Sequence, residues 1–488
     1  MPVGTEIKIS LPEMEEGKVS FHISEAAYRI ECTVSVYTFD RKEGVTMNSI
    51  WTMTTETEER QPLKKNLSVD TAVIGGGIAG VLTAHFLKQS GIETVVLEAD
   101  RLFGGQTKNT TAKITLQHGL IYHKLIEKVG KERAGLYVEA NRAAIGQYRR
   151  MAEEENMDCF FRNCNACLYT MKDGEALQKE EAAARSLGIC AEYTTKTELP
   201  FQVKGALCYY DQAVFHPLLF LKKIAEGLTV YENTRVVDVK GHELITKDYR
   251  VEAEHIVFAT HYPFINIPGF YFLRMHQERS YVLALQNTRQ MDNMYYGIDR
   301  DGLSFRKSGD VLLLGGGSHR TGENKGGGKY RDLRMAAEKM FPGCREVTRW
   351  SAQDCMPVDD IPYIGRYSAE YPDWYVATGF RKWGMTSAMA AAMLIRELIT
   401  EGKSRFEEVF TPQRLNLQAS AGKLAEEGME SAKGLGKGLF TATPRCPHMG
   451  CALEWNPDEL SWDCPCHGSR FDSNGKLMDN PAQVDLEV

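Results

Sequence analysis

The chain has 488 residues, of which 43% are hydrophobic and 25% charged, as is typical of a globular protein with two or three domains. A formal net charge of −7 without a long basic run argues against nucleic acid as a partner. No stretch reaches the ~18 uninterrupted apolar residues of a membrane helix, and no secretory pattern opens the chain, so we expect a cytoplasmic protein without a membrane span.

Apolar runs in the middle of the chain predict strands, and helical patterns separate them. The predicted strands are residues 94–98, 228–231, 255–259, 311–314 and 374–377. This alternation predicts the fold class α/β, with a Rossmann-like domain and a mixed β-sheet subdomain. A short C-terminal segment that is dense in Cys, His, Pro and Gly predicts a further small, all-β unit.

The run Gly75-Gly-Gly77-Ile78-Ala79-Gly80 follows an apolar strand and opens a helix. Gly75 permits the tight turn, Gly77 lets the backbone approach a pyrophosphate, and Gly80 lets the helix pack close to the strand. The phosphates would then face the helix N-terminus near Ile78. Glu98 ends the next strand 23 residues after Gly75, where an acid holds the ribose hydroxyls. These features predict a dinucleotide site, which FAD and NAD could both occupy.

The segments that follow the glycine run resemble the glycine/sarcosine-oxidase-like FAD superfamily. They are Glu98–Arg101, Gly104–Thr107, Asn109–Lys113, His255–Tyr262, Asp359–Gly365 and Tyr375–Thr386. The resemblance implies FAD, with a late helix N-terminus facing the N1/O2 edge of the flavin ring. Besides Gly75, Gly77, Gly80 and Glu98, it implies cofactor contacts from Ile78, Ala79, Arg101, Gly105, Gln106, Thr107, Thr111, Ala112, Gly379, Gly384, Met385 and Thr386.

A cluster of possible metal ligands lies near the C-terminus. Cys446 and His448 form C-x-H, and after a gap of 15 residues Cys464 and His467 form C-x-x-H. This is the Rieske pattern, in which two thiolates hold one iron of a [2Fe–2S] cluster and two imidazoles hold the other. A Cys₂His₂ set also suits Zn²⁺, although the short loops of zinc fingers usually pair Cys with Cys and His with His.

The same segment resembles the Rieske proteins of cytochrome bc complexes. The resemblance implies a disulfide between Cys451 and Cys466 that ties the two loops, and a hydrogen bond from Ser469 to a cluster sulfur. Phe471 stands where those proteins place a hydrogen-bonding Tyr, so we expect an intermediate reduction potential. Because little chain precedes Cys446, we expect a half-domain that depends on the flavin domain for burial.

From about residue 47 onward, the whole arrangement resembles the bacterial family of FAD-dependent oxidoreductases with a C-terminal Rieske domain. We expect residues 1–46 to be an extension outside this architecture, either a hairpin or poorly ordered. Residues 47–405 should form the FAD-binding domain, with an inserted substrate subdomain at about 155–355. Residues 406–440 should be a linker helix and hinge, and residues 441–488 the Rieske domain.

The resemblance also implies a reaction. A small-molecule substrate, either an amine or an amino acid, would give a hydride to FAD, and the cluster would pass electrons singly to an external one-electron acceptor protein. Lys113, Thr260 and His319 are the candidate catalytic residues. Two alternatives stay open: a donor protein could feed electrons through the cluster to a substrate at the flavin, or the chain could be a redox adaptor or sensor without a substrate.

Eight further cysteines are scattered from Cys32 to Cys355. Three of them form C-x₄-C-x₂-C between Cys159 and Cys167, without a fourth metal ligand next to them. In a chain of this length without a secretory signal, we expect most of the eight to be buried thiols and not disulfides.

Overall fold

The computed structural model describes residues 47–414, 428–429, 431–436 and 443–486. The predicted extension, residues 1–46, lies outside the described residues, as do parts of the predicted linker. Within the described part of the chain, no helix is both long and apolar enough to cross a membrane.

Strands and helices alternate along much of the described chain. The strands are β1 (Leu67–Ile74), β2 (Thr94–Leu97), β3 (Lys113–Ile114), β4 (Arg162–Thr170), β5 (Ala191–Thr194), β6 (Gly205–Val214), β7 (Thr229–Tyr231), β8 (Val236–Lys240), β9 (Glu243–Thr246), β10 (Arg250–Phe258), β11 (Met275–Gln286), β12 (Met294–Gly297), β13 (Ser304–Ser308), β14 (Val311–Arg320), β15 (Arg345–Pro357), β16 (Tyr363–Arg366), β17 (Trp374–Thr378), β18 (Glu454–Asn456), β19 (Ser461–Asp463), β20 (Arg470–Asp472) and β21 (Leu477–Asp479). The helices are α1 (Ile50–Met53), α2 (Ile78–Gln89), α3 (Tyr122–Glu154), α4 (Glu175–Ser186), α5 (Pro217–Ile224), α6 (Lys329–Met340), α7 (Gly384–Glu401) and α8 (Glu407–Phe410).

The first sheet carries the glycine run. Its strands follow the order β16-β17-β10-β1-β2-β7, and all neighbours from β17 to β7 are parallel. The inner strands are apolar because helices such as α2 and α7, which pack against each other, cover the sheet. The strands predicted at residues 94–98, 228–231, 255–259 and 374–377 are confirmed, as is the Rossmann-like class.

The second sheet is mixed and follows the order β15-β11-β14-β13-β12-β4-β6-β3, with β5 beside β6. Its pairs are antiparallel except for β12 with β4. The predicted strand at 311–314 forms the start of β14. Because side chains alternate along a strand, Gln277, Arg279 and Tyr281 of β11 share one face and Glu278 points to the other.

The third sheet is an antiparallel meander of β18, β19, β20 and β21. Its apolar core is small, and four of its seven buried members are the cysteines of the candidate cluster site. Such a unit cannot bury enough surface alone, so it needs a neighbour. The sheet packs on the Gln277 face of β11, and its dependence on that neighbour stays a prediction.

A buried network of charges joins the third sheet to the second. The guanidinium of Arg279 on β11 pairs with Glu459, which also accepts a hydrogen bond from Arg470 at 3.0 Å. Arg470 additionally pairs with Asp463 at 3.0 Å and with Asp479 at 2.9 Å. The side chains of Arg279 and Arg470 are 1% and 5% exposed, so each charge depends on its partners.

Breaking this network should release the C-terminal unit. Among the described residues, Arg279→Leu leaves the buried carboxylates of Glu459, Asp463 and Asp479 with Arg470 as their one guanidinium partner, which we expect to cost about 3–5 kcal/mol of unfolding free energy. Arg133→Leu is the control, because Arg133 pairs with Glu408 on the surface and such pairs contribute only about 0–1 kcal/mol. Urea unfolding followed by tryptophan fluorescence measures both variants. Equal urea midpoints for the two variants would contradict the stabilising role of Arg279 in the buried charge network.

Candidate active site and metal centre

The turn between β1 and α2 can be closed only by glycine. Gly75 has a φ of +106°, and a Cβ there would lie 2.6 Å from the carbonyl oxygen of Ala259. A Cβ on Gly80 would overlap the carbonyl oxygen of Gly75. Gly77 caps α2, whose first turn contains no acidic residue, so the positive helix end stays available for phosphate. This cradle fits the pyrophosphate of a dinucleotide.

Glu98 stands at the end of β2 beside this turn. Its carboxylate accepts hydrogen bonds from the amides of Gly76 at 2.6 Å and Asp100 at 2.9 Å. Burial raises the pKa of Glu98, and these backbone bonds oppose the shift. The acid is therefore fixed next to the glycine turn, where the ribose of a dinucleotide would lie.

The predicted cofactor-binding residues that follow Glu98 in the sequence form hydrogen bonds to different parts of the protein. The hydroxyl of Thr107 accepts a hydrogen bond from the backbone amide of Ile78 at 2.9 Å, so Thr107 lies beside the glycine turn. Arg101 instead pairs with Glu59 and, at 3.0 Å, with Glu232, which is fully buried. Gln106 donates to Asp479 of the C-terminal unit at 2.7 Å, so a predicted cofactor residue also contacts the third sheet.

At the N-terminus of α7, Thr386 is held by His118, which precedes α3 and is itself bonded to Tyr137 of α3. Its hydroxyl lies 3.0 Å from Nε2 of His118, whose Nδ1 lies 2.6 Å from the Tyr137 hydroxyl. Burial lowers the pKa of His118 to about 3, so this histidine is neutral. Trp383 stacks on the same imidazole. The start of the late helix is therefore rigid where the resemblance places the flavin N1/O2 edge, with Gly384 and Met385 in its first turn.

Sequence reasoning missed a buried cation, Arg306 on β13. It is 2% exposed and donates to the carbonyl of Phe215 at 2.6 Å, while its Nε and Nη1 have no hydrogen-bond partner among the described residues. Its guanidinium also lies over the ring of Trp51 at 4.9 Å. Burial lowers the pKa of Arg306 to about 9, so it is still charged at pH 7.

Lys113, a predicted catalytic residue, lies close to Arg306. Its ammonium donates to the hydroxyls of Thr111 at 2.8 Å and Ser304 at 2.9 Å. Burial, together with the charge of Arg306, lowers the pKa of Lys113 to about 7. Among the described residues, neither cation forms an ion pair with a carboxylate. The pair is thus suited to bind an anion.

The other two candidate catalytic residues lie toward the C-terminal unit. The carbonyl of Thr260 accepts a hydrogen bond from Asn480 at 2.7 Å. His319 lies 3.1 Å from the hydroxyl of Tyr281, on the side of β11 that contacts the third sheet. Their catalytic roles therefore stay predictions.

A second polar group lies on the opposite face of β11. Glu278 pairs with Lys382 at 3.0 Å, and its cross-strand neighbour on β15 is Asp354. Burial raises the pKa of Asp354 to about 7. Burial also acts to raise the pKa of Glu278, but His276 and Lys382 outweigh it and lower this pKa to about 2. Two carboxyl groups side by side thus differ in protonation near neutral pH.

The four predicted cluster ligands are brought together at one end of the third sheet. A hydrogen bond from Cys464 lowers the pKa of the Cys446 thiol to about 7, and a hydrogen bond from Ser469 contributes. The imidazole centroids of His448 and His467 are 5.0 Å apart. Nδ1 of each ring is buried, and that of His448 has no hydrogen-bond partner among the described residues. Two thiols and two imidazoles, the ligand set of a Rieske-type [2Fe–2S] cluster, are thus collected in one place.

Each ligand loop supplies one Cys and one His, whereas the short loops of zinc fingers usually pair Cys with Cys and His with His, so this set fits a two-iron cluster better than a single zinc ion. The sulfur atoms of Cys451 and Cys466 lie beside that of the ligand Cys464, with the three within 4.8 Å of one another. The structure joins Cys451 and Cys466 in a disulfide, the pairing that the resemblance implies.

Comparison with known proteins gives the family. Residues 70–398 match the family described as FAD dependent oxidoreductase, and residues 423–488 match the Rieske [2Fe-2S] domain. The chain belongs to the FAD-dependent oxidoreductase family. A curated relative, the Rieske 2Fe-2S iron-sulfur protein YhfW of Bacillus subtilis (strain 168), is 34% identical over 90% of this chain and 97% of its own. The family matches imply FAD and a [2Fe–2S] cluster, in agreement with the cradle and the ligand set.

More distant relatives resemble either the larger part of the chain or a short segment of it. The structure of glycine oxidase from Geobacillus kaustophilus matches 72% of this chain and 99% of its own with a TM-score of 0.61 and 17% identity. L-proline dehydrogenase from P. horikoshii matches 72% and 98% with a TM-score of 0.60 and 19% identity. The cytochrome b6-f complex iron-sulfur subunit of Synechococcus elongatus is 49% identical over 43 residues, 9% of this chain and 24% of its own.

One expectation about the scattered cysteines is wrong. Cys167 on β4 and Cys208 on β6 form a disulfide, although the sequence predicted buried thiols. The two residues are direct partners in the antiparallel register of these strands. A pairing of this kind follows from strand register, which the spacing of cysteines along the sequence does not reveal.

The glycine cradle can be tested by adding one methyl group. Gly80→Ala should bind FAD roughly tenfold to hundredfold more weakly, because the Cβ displaces the Gly75 backbone at a cost of about 1–3 kcal/mol. Gly135→Ala is the control, since a Cβ there meets open space within α3. Flavin absorbance per protein after dialysis measures the effect. Full flavin content in Gly80→Ala would contradict the proposed cradle.

Proposed function

We propose that this protein is an FAD-dependent dehydrogenase that oxidises a small amine or amino acid by hydride transfer to FAD. The electrons then leave one at a time through the Rieske cluster to an acceptor protein. Cys446 and Cys464 would hold one iron, His448 and His467 the other, and the Cys451–Cys466 disulfide would tie the two ligand loops. Bound FAD supplies a two-electron acceptor, and the cluster supplies a one-electron carrier.

The observation that carries this proposal is the contact between the cluster loop and the flavin domain. Gln277 on β11 donates to the carbonyl of His467 at 2.7 Å, and Gln353 on β15 donates to the carbonyl of Gly468 at 2.8 Å. Asn480 reaches the Thr260 carbonyl on the segment that follows β10. The ligand loop is thus bonded directly to β11 and β15, and Asn480 of the same unit is bonded to the segment that borders the Gly75 turn, which supports electron exchange within one chain.

The buried cations support a substrate with an anionic group. Among the described residues, Nε and Nη1 of Arg306 have no hydrogen-bond partner, and the charge of Arg306 acts on Lys113. A substrate carboxylate would accept hydrogen bonds from Arg306 and would neutralise buried positive charge. This favours an amino acid over a simple amine as the substrate. The structural neighbours include proteins described as glycine oxidase, L-proline dehydrogenase and L-amino acid deaminase, so amino acids are the first substrates to test.

The same observation favours an enzyme over a redox adaptor. A protein without a substrate gains nothing from two buried cations that lack a carboxylate, because an unpaired buried charge is destabilising. The carboxyl pair of Glu278 and Asp354 adds a group that is protonated near neutral pH and could exchange a proton with a substrate.

The proposed reaction can be tested without knowing the acceptor. The holoprotein is mixed anaerobically with amino acids and with matched amines that lack the carboxylate, and flavin absorbance and cluster EPR are followed together. We expect an amino acid to bleach the flavin and the cluster signal to develop afterwards. If none of the amino acids or amines reduces the flavin, while dithionite reduces both centres, the dehydrogenase assignment fails.

The role of Lys113 gives a dependence on pH. Lys113 is protonated below its pKa of about 7 and neutral above it, so the affinity for an anionic ligand should fall as the pH rises through 7. Lys113→Arg should keep tight binding above pH 7, and Lys113→Gln should bind weakly at every pH. Lys307→Gln is the control, because Lys307 donates to the Asp310 carbonyl. Titration of acetate against the flavin spectrum gives the affinities, and a fall with pH that persists in Lys113→Gln would contradict this role.

A further inference from the structure

The flavin domain reaches one of the cluster histidines with a side chain. Oδ1 of Asn266, in the loop between β10 and β11, lies 2.9 Å from Nε2 of His448. A carboxamide oxygen can only accept a hydrogen bond, so Nε2 of the imidazole must carry the proton. A neutral imidazole then has its lone pair on Nδ1, the nitrogen that is buried and has no hydrogen-bond partner among the described residues. The contact with Asn266 thus selects the tautomer that an iron ligand needs.

The second histidine is also oriented by the flavin domain, but in a different way. The carbonyl of His467 accepts from Gln277, and its ring packs edge-on against Phe272 and Tyr262, with centroids 6.0 and 6.5 Å away. These contacts fix the position of the ring through packing and the backbone. The outer nitrogen of His467 lies 3.5 Å from the hydroxyl of Ser431, which belongs to the segment between the two domains. The outer nitrogen of His448 is instead contacted by Asn266 of the flavin domain.

We propose that Asn266 is a positioning residue for the [2Fe–2S] cluster, supplied by the flavin domain. It holds the proton of His448 on Nε2 and turns Nδ1 toward the iron. Partners of this kind, which accept the free N–H of a metal-bound histidine, fix the ring and raise its basicity. The cluster is therefore tuned by the domain on which it docks, and its potential depends on docking.

The direction of the effect follows from ligand basicity. A more basic imidazole stabilises the oxidised iron, so the bond to Asn266 should lower the reduction potential. Asn266→Leu removes the acceptor, and the potential should shift upward. Asn266→Asp places a charged acceptor at the same site, and the potential should shift downward. Asn266→Gln retains an amide oxygen and should lie closer to wild type than the leucine variant.

The experiment is a redox titration of the purified holoproteins, followed by the EPR signal of the reduced cluster. Asn474→Leu is the matched control, because Asn474 is an exposed asparagine of the same unit, and its potential should equal that of wild type. Iron content is measured in parallel. If Asn266→Leu binds no cluster, Asn266→Asp tests the proposal instead. A downward shift of its reduction potential is expected only if residue 266 bonds directly to His448.

Two results would overturn the proposal. One is that Asn266→Leu and Asn266→Asp both load a cluster with the wild-type potential. The other is that both variants shift the potential in the same direction, which would indicate a loosened contact and no specific bond.

Discussion

The docking of the small C-terminal sheet on β11 is the constraint on which the rest of the structure depends. That sheet has only a few buried apolar residues, and most of them are the cysteines of the ligand loops. Besides the packing of His467 on Phe272 and Tyr262, the interface contains a buried charge network. In it, Arg279 of β11 and Arg470 of the C-terminal unit meet the carboxylates of Glu459, Asp463 and Asp479. Charges buried in this way are tolerated only in one arrangement, so they fix the position of the cluster loops relative to the flavin domain.

Strand β11 contacts both the C-terminal unit and the segment before α7. Its alternating side chains give Gln277 and Arg279 to the cluster unit and Glu278 to the opposite face, where Lys382 lies just before α7. A single strand thus contacts both the ligand loop and the loop that opens the late helix. In the proposed function, this strand would connect the cluster site with the flavin site inside one polypeptide.

Much of this arrangement could be predicted from the sequence, where the information is local. The glycine run, Glu98 and the C-x-H and C-x-x-H pairs each have a spacing that one turn or loop imposes, and the predicted strands were found. Contacts between distant segments left no such signal. Asn266 and His448 are 182 residues apart, and Gln277 and His467 are 190 apart, so neither pairing could be read from the sequence. Arg306 was missed because a single arginine in a strand has no distinguishing pattern until burial is known.

In the proposed function, the cluster exchanges electrons with the flavin while the C-terminal unit stays docked on β11. Flash photoreduction of the flavin in the purified holoprotein would measure this transfer, with the cluster absorbance followed at increasing sucrose viscosity and protein concentration. Docking predicts a first-order rate of cluster reduction that changes with neither. A rate that falls with viscosity would show that the C-terminal unit must move. A rate that rises with protein concentration would show that electrons pass between molecules. Either result would contradict electron transfer within the docked molecule.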